Sequence, residues 1–367
     1  MKIGILLPTN VYMAPYVRLY TDILDEVGCD YDVIYFDKRN MEEKAAYRFS
    51  AMVSTSDGQL KRLWGYLRFS IFLRKVICKE KYDKLIICGP QIALFMYGFL
   101  KKHYAGRFIM DYRDLSIEQR FMSRYKKILS ISAFNVISSP GFKRCLPAGD
   151  YILSHNIREE MLREHLSERR DETREHLTRH NGKISVLTIG GIRDYEQNAA
   201  VMVALANKDG FETSYIGRGE EGADVKLKDL AQREGIKNVY FSGFYQKEEE
   251  PDIISSCTFL NIFYPRKISH DTALSNRFYS SLIFRKPMIT TADTTQGDYA
   301  VKYGVGVALT DTSKLDVKLR SFIDGFDADA YEKNRNMLLS DIYNDCLLFK
   351  DKVWKFACGS DKSNTMS

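Results

Sequence analysis

Short apolar runs recur along this chain, and between them lie longer stretches with helical periodicity. In the first half Lys2–Pro8, Tyr31–Phe36, Leu85–Cys88, Phe108–Met110, Asn135–Ser138 and Tyr151–Leu153 read as strands. Helices are expected from Pro15 to about Gly28, over Leu60–Lys81 and over Gln91–His103. The second half repeats the pattern with strands at Ile184–Ile189, Thr213–Ile216, Val239–Phe244, Phe259–Phe263 and Met288–Thr291. Strands that are apolar throughout are buried on both faces, and strands separated by helices pair as parallel neighbours. The chain is therefore expected to be α/β, with parallel sheets covered by helices on both sides.

At 367 residues the chain exceeds one ordinary core, so two domains are expected. From Arg158 to Asn181 it becomes dense in Arg and Glu and poor in large apolar residues. Such a stretch reads as a solvated helix or linker. Placing the boundary within it gives domains 1–175 and 176–340. The small polar residues Gly359–Ser367 read as a loose tail. No apolar run is long enough to span a bilayer. The N-terminal MKIGILLPT reads as a buried strand and not a leader peptide.

Seven cysteines without a CxxC pair argue against a disulfide framework and against structural zinc. Cys78, Cys88 and Cys257 lie in apolar runs and read as core thiols in a reducing, cytoplasmic setting. The formal charge of +6 favours anionic partners such as nucleotides, pyrophosphates or phospholipids, without pointing to nucleic acid. No Asp-x-Asp metal motif stands in a suitable loop.

Ligands of parallel sheets sit at the carboxyl ends of strands. That rule selects Asn10, Gly89, Asp111–Asp114, Ser139, His155 and Asn156. A carboxylate from Asp111 or Asp114 can take a proton from a hydroxyl and Arg113 can hold phosphate, or the cluster is an internal ion pair tying its loop. His155-Asn156 also suits a structural turn. Gly190-Gly191-Ile192-Arg193 follows a strand and precedes a helix, so backbone and guanidinium can meet phosphate there. In ISHDTALSNRFYSSLIFRKPMITT, Phe278, Leu282 and Ile283 recur at helical spacing and Pro287 stops the helix. Asn276 and Arg277 then stand at a helix N-terminus, which attracts anions. On Leu60–Lys81, Lys61, Arg68, Lys75 and Lys79 form one stripe beside Trp64, Ile71 and Phe72. That edge suits an anionic membrane surface, or is simply the wet side of a packed helix.

The segment Ser275-Asn276-Arg277-Phe278-Tyr279, with Leu282 and Lys286-Pro287-Met288-Ile289, resembles the S-x-K-x-x-E-x-L-x-x-G-K-P-V-I stretch of GT-B glycosyltransferases, family 4 above all. Ser280 stands where many relatives carry the ribose-gripping glutamate. Thr272, with Asp271 beside it, stands where a second glutamate faces the donor sugar. Gly190, Gly191 and Arg193 resemble the first loop of the donor domain, with Asn198 at the position of its lysine. Val239–Gly243 resembles the V-x-F-x-G motif, after which Phe244 and Tyr245 would flank the base. Arg113-Asp114-Leu115 resembles the R-D-L of some aminosugar transferases.

The resemblance implies two Rossmann-like parallel-sheet domains facing a central cleft, with helices at about 340–358 crossing back to the first domain. It implies a metal-independent hexosyl transferase of the bacterial capsule, exopolysaccharide or O-antigen type, at the cytoplasmic face of the membrane. The acceptor would be a lipid-linked or oligosaccharide hydroxyl, and the nucleotide-sugar would be a substrate, with no cofactor. Gly190, Gly191, Arg193, Phe244, Tyr245, Tyr264, Asp271, Asn276, Arg277 and Ser280 would then serve the donor. Asp111, Arg113 and Asp114 would serve the chemistry, and Asn10, His155 and Asn156 the acceptor. A nucleotide-sugar epimerase and a non-catalytic nucleotide-binding scaffold are the alternatives on this architecture.

Overall fold

A computed structural model describes residues 1–41, 43–52, 57–167 and 182–359. The chain forms two units, Met1–Arg158 with Asn344–Ser367, and Glu159–Tyr343. Residues 168–181, where the sequence puts the domain boundary, and the tail 360–367 lie outside the described residues.

The first unit contains β1 (Lys2–Leu7), β2 (Asp30–Asp37), β3 (Tyr47–Ser50), β4 (Lys84–Cys88), β5 (Phe108–Tyr112), β6 (Phe134–Ile137) and β7 (Tyr151–Leu153). They form one sheet in the order β3-β2-β1-β4-β5-β6-β7. Each adjacent pair is parallel, and Leu6 of β1 aligns with Ile34 on one side and Ile87 on the other. Successive strand residues point to opposite faces, so two cores result. Leu6, Ile34, Phe36, Ile87 and Met110 pack on one face with Phe69 and Leu73 of the helix Gln59–Glu80. Ile5, Leu7, Tyr35, Ile86 and Ile109 pack on the other with the helix Val17–Val27 and the end of the helix Ala328–Cys358. That last contact centres on Phe349, whose ring meets Tyr20 edge-on at 5.1 Å.

The second unit contains β8 (Ile184–Ile189), β9 (Phe211–Ile216), β10 (Val239–Ser242), β11 (Phe259–Ile262), β12 (Met288–Thr291) and β13 (Gly306–Leu309). The order is β10-β9-β8-β11-β12-β13, again parallel throughout. All six residues of β8 are buried, the polar Ser185 and Thr188 among them. Arg335, with no exposed surface, pairs with Glu332 at 2.8 Å and donates to the Leu282 carbonyl.

The α/β expectation holds in both halves, but several elements are additional to it. Edge strand β3 reads Tyr-Arg-Phe-Ser with alternating exposure, and β13 is short and rich in small residues. Neither makes the continuous apolar run that marks a central strand. Cys88 and Cys257 are buried, whereas Cys78 is exposed, because its helix turns that position to solvent. Phe72 likewise turns inward and packs 5.4 Å from Phe49, so it does not belong with the exposed stripe of its helix. No helix among the described residues is long and apolar enough to cross a membrane.

Phe349 supplies the aromatic plug between the terminal helix and the first sheet. Phe349→Ala is expected to cost about 3–5 kcal/mol, read as a lower urea midpoint for the unfolding of the first unit.

Candidate active site

β8 and β11 are neighbours, yet the strands that follow them run to opposite sides of the sheet. A parallel sheet opens a crevice at the carboxyl ends of strands where the order reverses in this way. Arg277 reaches this edge from the second position of the helix Asn276–Ile283. Its Nε donates to the Ile189 carbonyl at 2.6 Å and its Nη2 to the Gly191 carbonyl at 2.8 Å. Nη1 donates to the Asn261 carbonyl at 3.3 Å and to the Tyr264 hydroxyl at 3.4 Å. The side chain makes no ion pair among the described residues. Its charge is held by carbonyl dipoles and the Tyr264 hydroxyl.

Local sequence explains how the arginine is aimed. Ser275 caps the helix by accepting from the Phe278 N–H at 3.3 Å, and its own hydroxyl donates to Gln296 Oε1 at 2.7 Å. Phe278, Leu282 and Ile283 are buried beneath, which turns Arg277 towards the strand ends. Asn276 is exposed beside it, and Ser280 is half-buried one turn further on.

The glycine loop is fixed by close backbone contact. Gly190 has φ +89°, and a Cβ on Gly217, at φ +134°, would lie 2.0 Å from the Gly190 carbonyl oxygen. Asn198 is buried and ties the same loop down. Its amide donates to the Asp194 carbonyl at 3.2 Å, while its side-chain oxygen accepts from Thr188 and Asn261. An amide at this position binds loop to sheet where a lysine would carry charge.

Basic side chains surround the crevice. Lys267 approaches Asp194 at 3.5 Å, and the His270 ring lies 5.2 Å from that of Tyr264. Arg266 pairs with Asp271 at 3.0 Å, so Asp271 is already engaged by a neighbouring cation. Arg193 is exposed and pairs with Glu220 at 3.1 Å. The Tyr245 hydroxyl lies 3.8 Å from the Cβ position of Gly190, and burial raises its phenol above the ordinary value. Phe244 is 79% exposed, which removes it from the core. Gly190, Gly191, Tyr245, Tyr264 and Arg277 thus share one edge. Arg266, Lys267 and His270 were not selected from sequence as site residues. Their signal is a basic pair directly after the Tyr264-Pro265 strand exit.

The first unit treats its selected residues differently. β5 continues through Tyr112, so strand alternation sends Asp111 inward on the face of Ile109 instead of out at the lip. Asp111 has no exposed surface. It accepts from Tyr20 at 2.9 Å and from Arg113 Nε at 2.9 and 3.0 Å. The other Arg113 donors go to the Ser154 carbonyl at 2.9 Å and the Ser154 hydroxyl at 2.8 Å. Tyr16 covers the guanidinium at 4.5 Å. These two residues form the internal ion pair that joins β5 to the end of β7, while Asp114 is exposed. Asn10, also fully buried, bonds Asp37 at 2.9 Å, Glu43 at 3.1 Å and the Lys38 N–H at 3.1 Å. His155 is buried against Asp345 at 3.0 Å, and Asn156 beside it is half-buried.

No protein-family model matches this sequence, and no curated protein matches it. Solved structures do match along the whole chain. Sucrose-phosphate synthase of Thermosynechococcus elongatus is similar with a TM-score of 0.70 and 14% identity, over 98% of this chain and 100% of that one. Anabaena HepE, solved with UDP and glucose, is similar with a TM-score of 0.62 and 12% identity, over 97% and 99%. The lipopolysaccharide outer core galactosyltransferase WaaB is similar with a TM-score of 0.62 and 14% identity, over 95% and 100%. The fold of this chain is that of the GT-B glycosyltransferases, with two Rossmann-like parallel-sheet domains.

The two aspartates should separate in a stability measurement. Asp111→Asn leaves Arg113 buried without its counter-charge and is expected to cost about 3–5 kcal/mol. Asp114→Asn, at an exposed position, should stay within about 0.5 kcal/mol of wild type. Equal denaturation midpoints for the two variants would contradict the assignment.

Proposed function

We propose that this chain is a glycosyltransferase that moves a sugar from a nucleotide-sugar to a hydroxyl of a saccharide acceptor. In this reading it belongs to glycosyltransferase family 4, and the acceptor is lipid-linked, within surface polysaccharide assembly at the inner face of the membrane. One observation carries the proposal: Arg277, with no ionic partner among the described residues, brings a positive charge to the switch point of the second sheet, beside the Gly190-Gly191 loop. A nucleoside diphosphate is the anion that such an edge fits. The similar HepE structure, solved with UDP and glucose, supports uridine nucleotides as the first ligands to try.

The chemistry follows from the charges. As the sugar departs, negative charge builds on the diphosphate. Fixed cations and amide dipoles that meet it there lower the barrier, because they need no reorganisation. Arg277 and Lys267 supply the cations and the Asn276–Ile283 helix start supplies the dipole, so no metal is required. Arg193 reaches the same diphosphate once released from Glu220. Phe244, exposed after β10, and Tyr245 take the base by stacking, and Ser280 lies towards the ribose. Asp114 is the carboxylate that takes the acceptor proton. Asp111 and Arg113 position its loop, and Asn10 and His155 fix the neighbouring strand exits.

A membrane surface is the remaining partner. On the helix Gln59–Glu80, Leu60 (82% exposed), Leu63, Trp64 (62%), Leu67 and Ile71 form an outward apolar stripe. Lys61, Arg68, Lys75 and Lys79 are exposed along one side of it. Apolar residues entering the interface beside cations that meet anionic headgroups would hold the enzyme at its lipid-linked acceptor.

Two measurements test these assignments. UDP and UDP-sugars are expected to raise the melting temperature by mass action. Arg277→Met should weaken UDP at least tenfold, about 1.4 kcal/mol, with Arg277→Lys recovering part of the loss. Unchanged UDP affinity in Arg277→Met would remove the diphosphate role. For the membrane, flotation with vesicles containing anionic phospholipid should recover the wild-type protein. It should fail for the combined Leu63→Ser, Trp64→Ser and Leu67→Ser variant, and fall with added salt. Equal flotation of the two proteins would dismiss the helix as the contact.

A further inference from the structure

In the first unit an ammonium bonds a tyrosine hydroxyl with no carboxylate in contact among the described residues, and a guanidinium stands one helical turn away. Lys38 follows β2 at the carboxyl edge of the sheet. Its ammonium donates to the Tyr66 hydroxyl at 2.8 Å and lies 4.9 Å from the Tyr66 ring centre and 5.3 Å from that of Phe36. Arg62 stands one helical turn before Tyr66 and acts electrostatically on the same hydroxyl. Neither Lys38 nor Arg62 makes an ion pair among the described residues. The Tyr66 oxygen accepts from Lys38, so its own proton points elsewhere, with no acceptor among the described residues.

The surroundings make this arrangement costly in the absence of an anion. Tyr66 stacks on Phe95 at 6.3 Å with 4° between the rings. Burial among these rings, without a counter-charge, pulls the Lys38 ammonium down to about 8. The same burial pushes the Tyr66 phenol up to about 12, which keeps it protonated as a donor. Cation–π contact offsets only part of the lost hydration. The nearby carboxylate Asp37 is committed elsewhere, to Asn10, Arg48, Ser50 and two backbone amides. An ammonium, a guanidinium and a hydroxyl donor together match the oxygens of one phosphate.

We propose that Lys38, Arg62 and Tyr66 form a receptor for a phosphate group of the ligand bound by the first unit. This rests on reading that unit as the acceptor side of a glycosyltransferase, and it makes the acceptor a phosphate-bearing molecule. Two sources share that chemistry. A lipid phosphate is one, since Leu63 and Trp64 lie exposed on the same helix within a turn of Arg62 and Tyr66. A soluble sugar phosphate is the other.

The test follows Lys38 directly. The protein is reductively methylated with carbon-13, and the lysine resonance that titrates near pH 8 is assigned by its loss in Lys38→Arg. Glycerol 3-phosphate, inorganic pyrophosphate and vesicles containing phosphatidic acid are then added separately. Phosphate bound at Lys38 stabilises the charged form, so the titration should move upward by at least one pH unit. A shift with the soluble probes supports a free phosphate ligand, and a shift with vesicles alone supports a lipid headgroup. Lys38→Met and Arg62→Met should each weaken the effective probe at least tenfold, measured by calorimetry for the soluble probes or by flotation for vesicles. UDP affinity should stay at the wild-type value in both variants, and an unchanged urea midpoint for the first unit shows that they fold. No shift with any probe, or wild-type probe affinity in both variants, would overturn the receptor. Failure of UDP to bind the wild-type protein would instead count against the glycosyltransferase reading.

Discussion

A guanidinium that answers to backbone carbonyls and one tyrosine hydroxyl ties together the carboxyl edge of the second sheet. Arg277 spans the exits of β8 and β11, the pair between which strand order reverses. Burying part of a charge is unfavourable unless fixed dipoles replace water, and the ends of parallel strands offer such dipoles in a row. The arrangement keeps the arginine oriented without an ion pair among the described residues, as the proposed diphosphate site requires. The glycine loop depends on it, because Gly191 gives its carbonyl to Arg277 while Gly190 packs its own against Gly217.

The first unit solves the opposite problem at its edge. Asp111 and Arg113 are both charged and buried, and each is fully answered by the other, Tyr20 and Ser154. Such a pair brings little net stability, yet breaking it is expensive. It therefore suits a brace between strand ends and does not suit proton transfer. Lys38 and Arg62, near Tyr66, lie elsewhere in that unit and make no ion pair among the described residues.

Much of the framework was legible in the chain. Largely apolar runs marked the central strands within a residue or two, since β1, β8 and β12 are buried on both faces. The edge strands β3 and β13 escaped, because an edge strand such as β3 needs apolar residues on one face only. Ser275, Phe278 and Leu282 announced the helix that aims Arg277, and their spacing alone placed that arginine at its N-terminus.

What the residue order determined by itself was periodicity: two parallel sheets, their carboxyl edges, and the glycine and arginine positions that fall there. Which charges remain uncancelled was decided only by tertiary structure. Asp111 and Asp114 are three positions apart, yet one extra pleat of β5 buries the first and leaves the second in solvent. Lys38 and Tyr66 are 28 residues apart and reveal nothing to each other along the chain. Only the packing of their helix on the sheet brings them to bonding distance. Charge compensation depends on through-space separation and local dielectric, and neither is written in sequence separation.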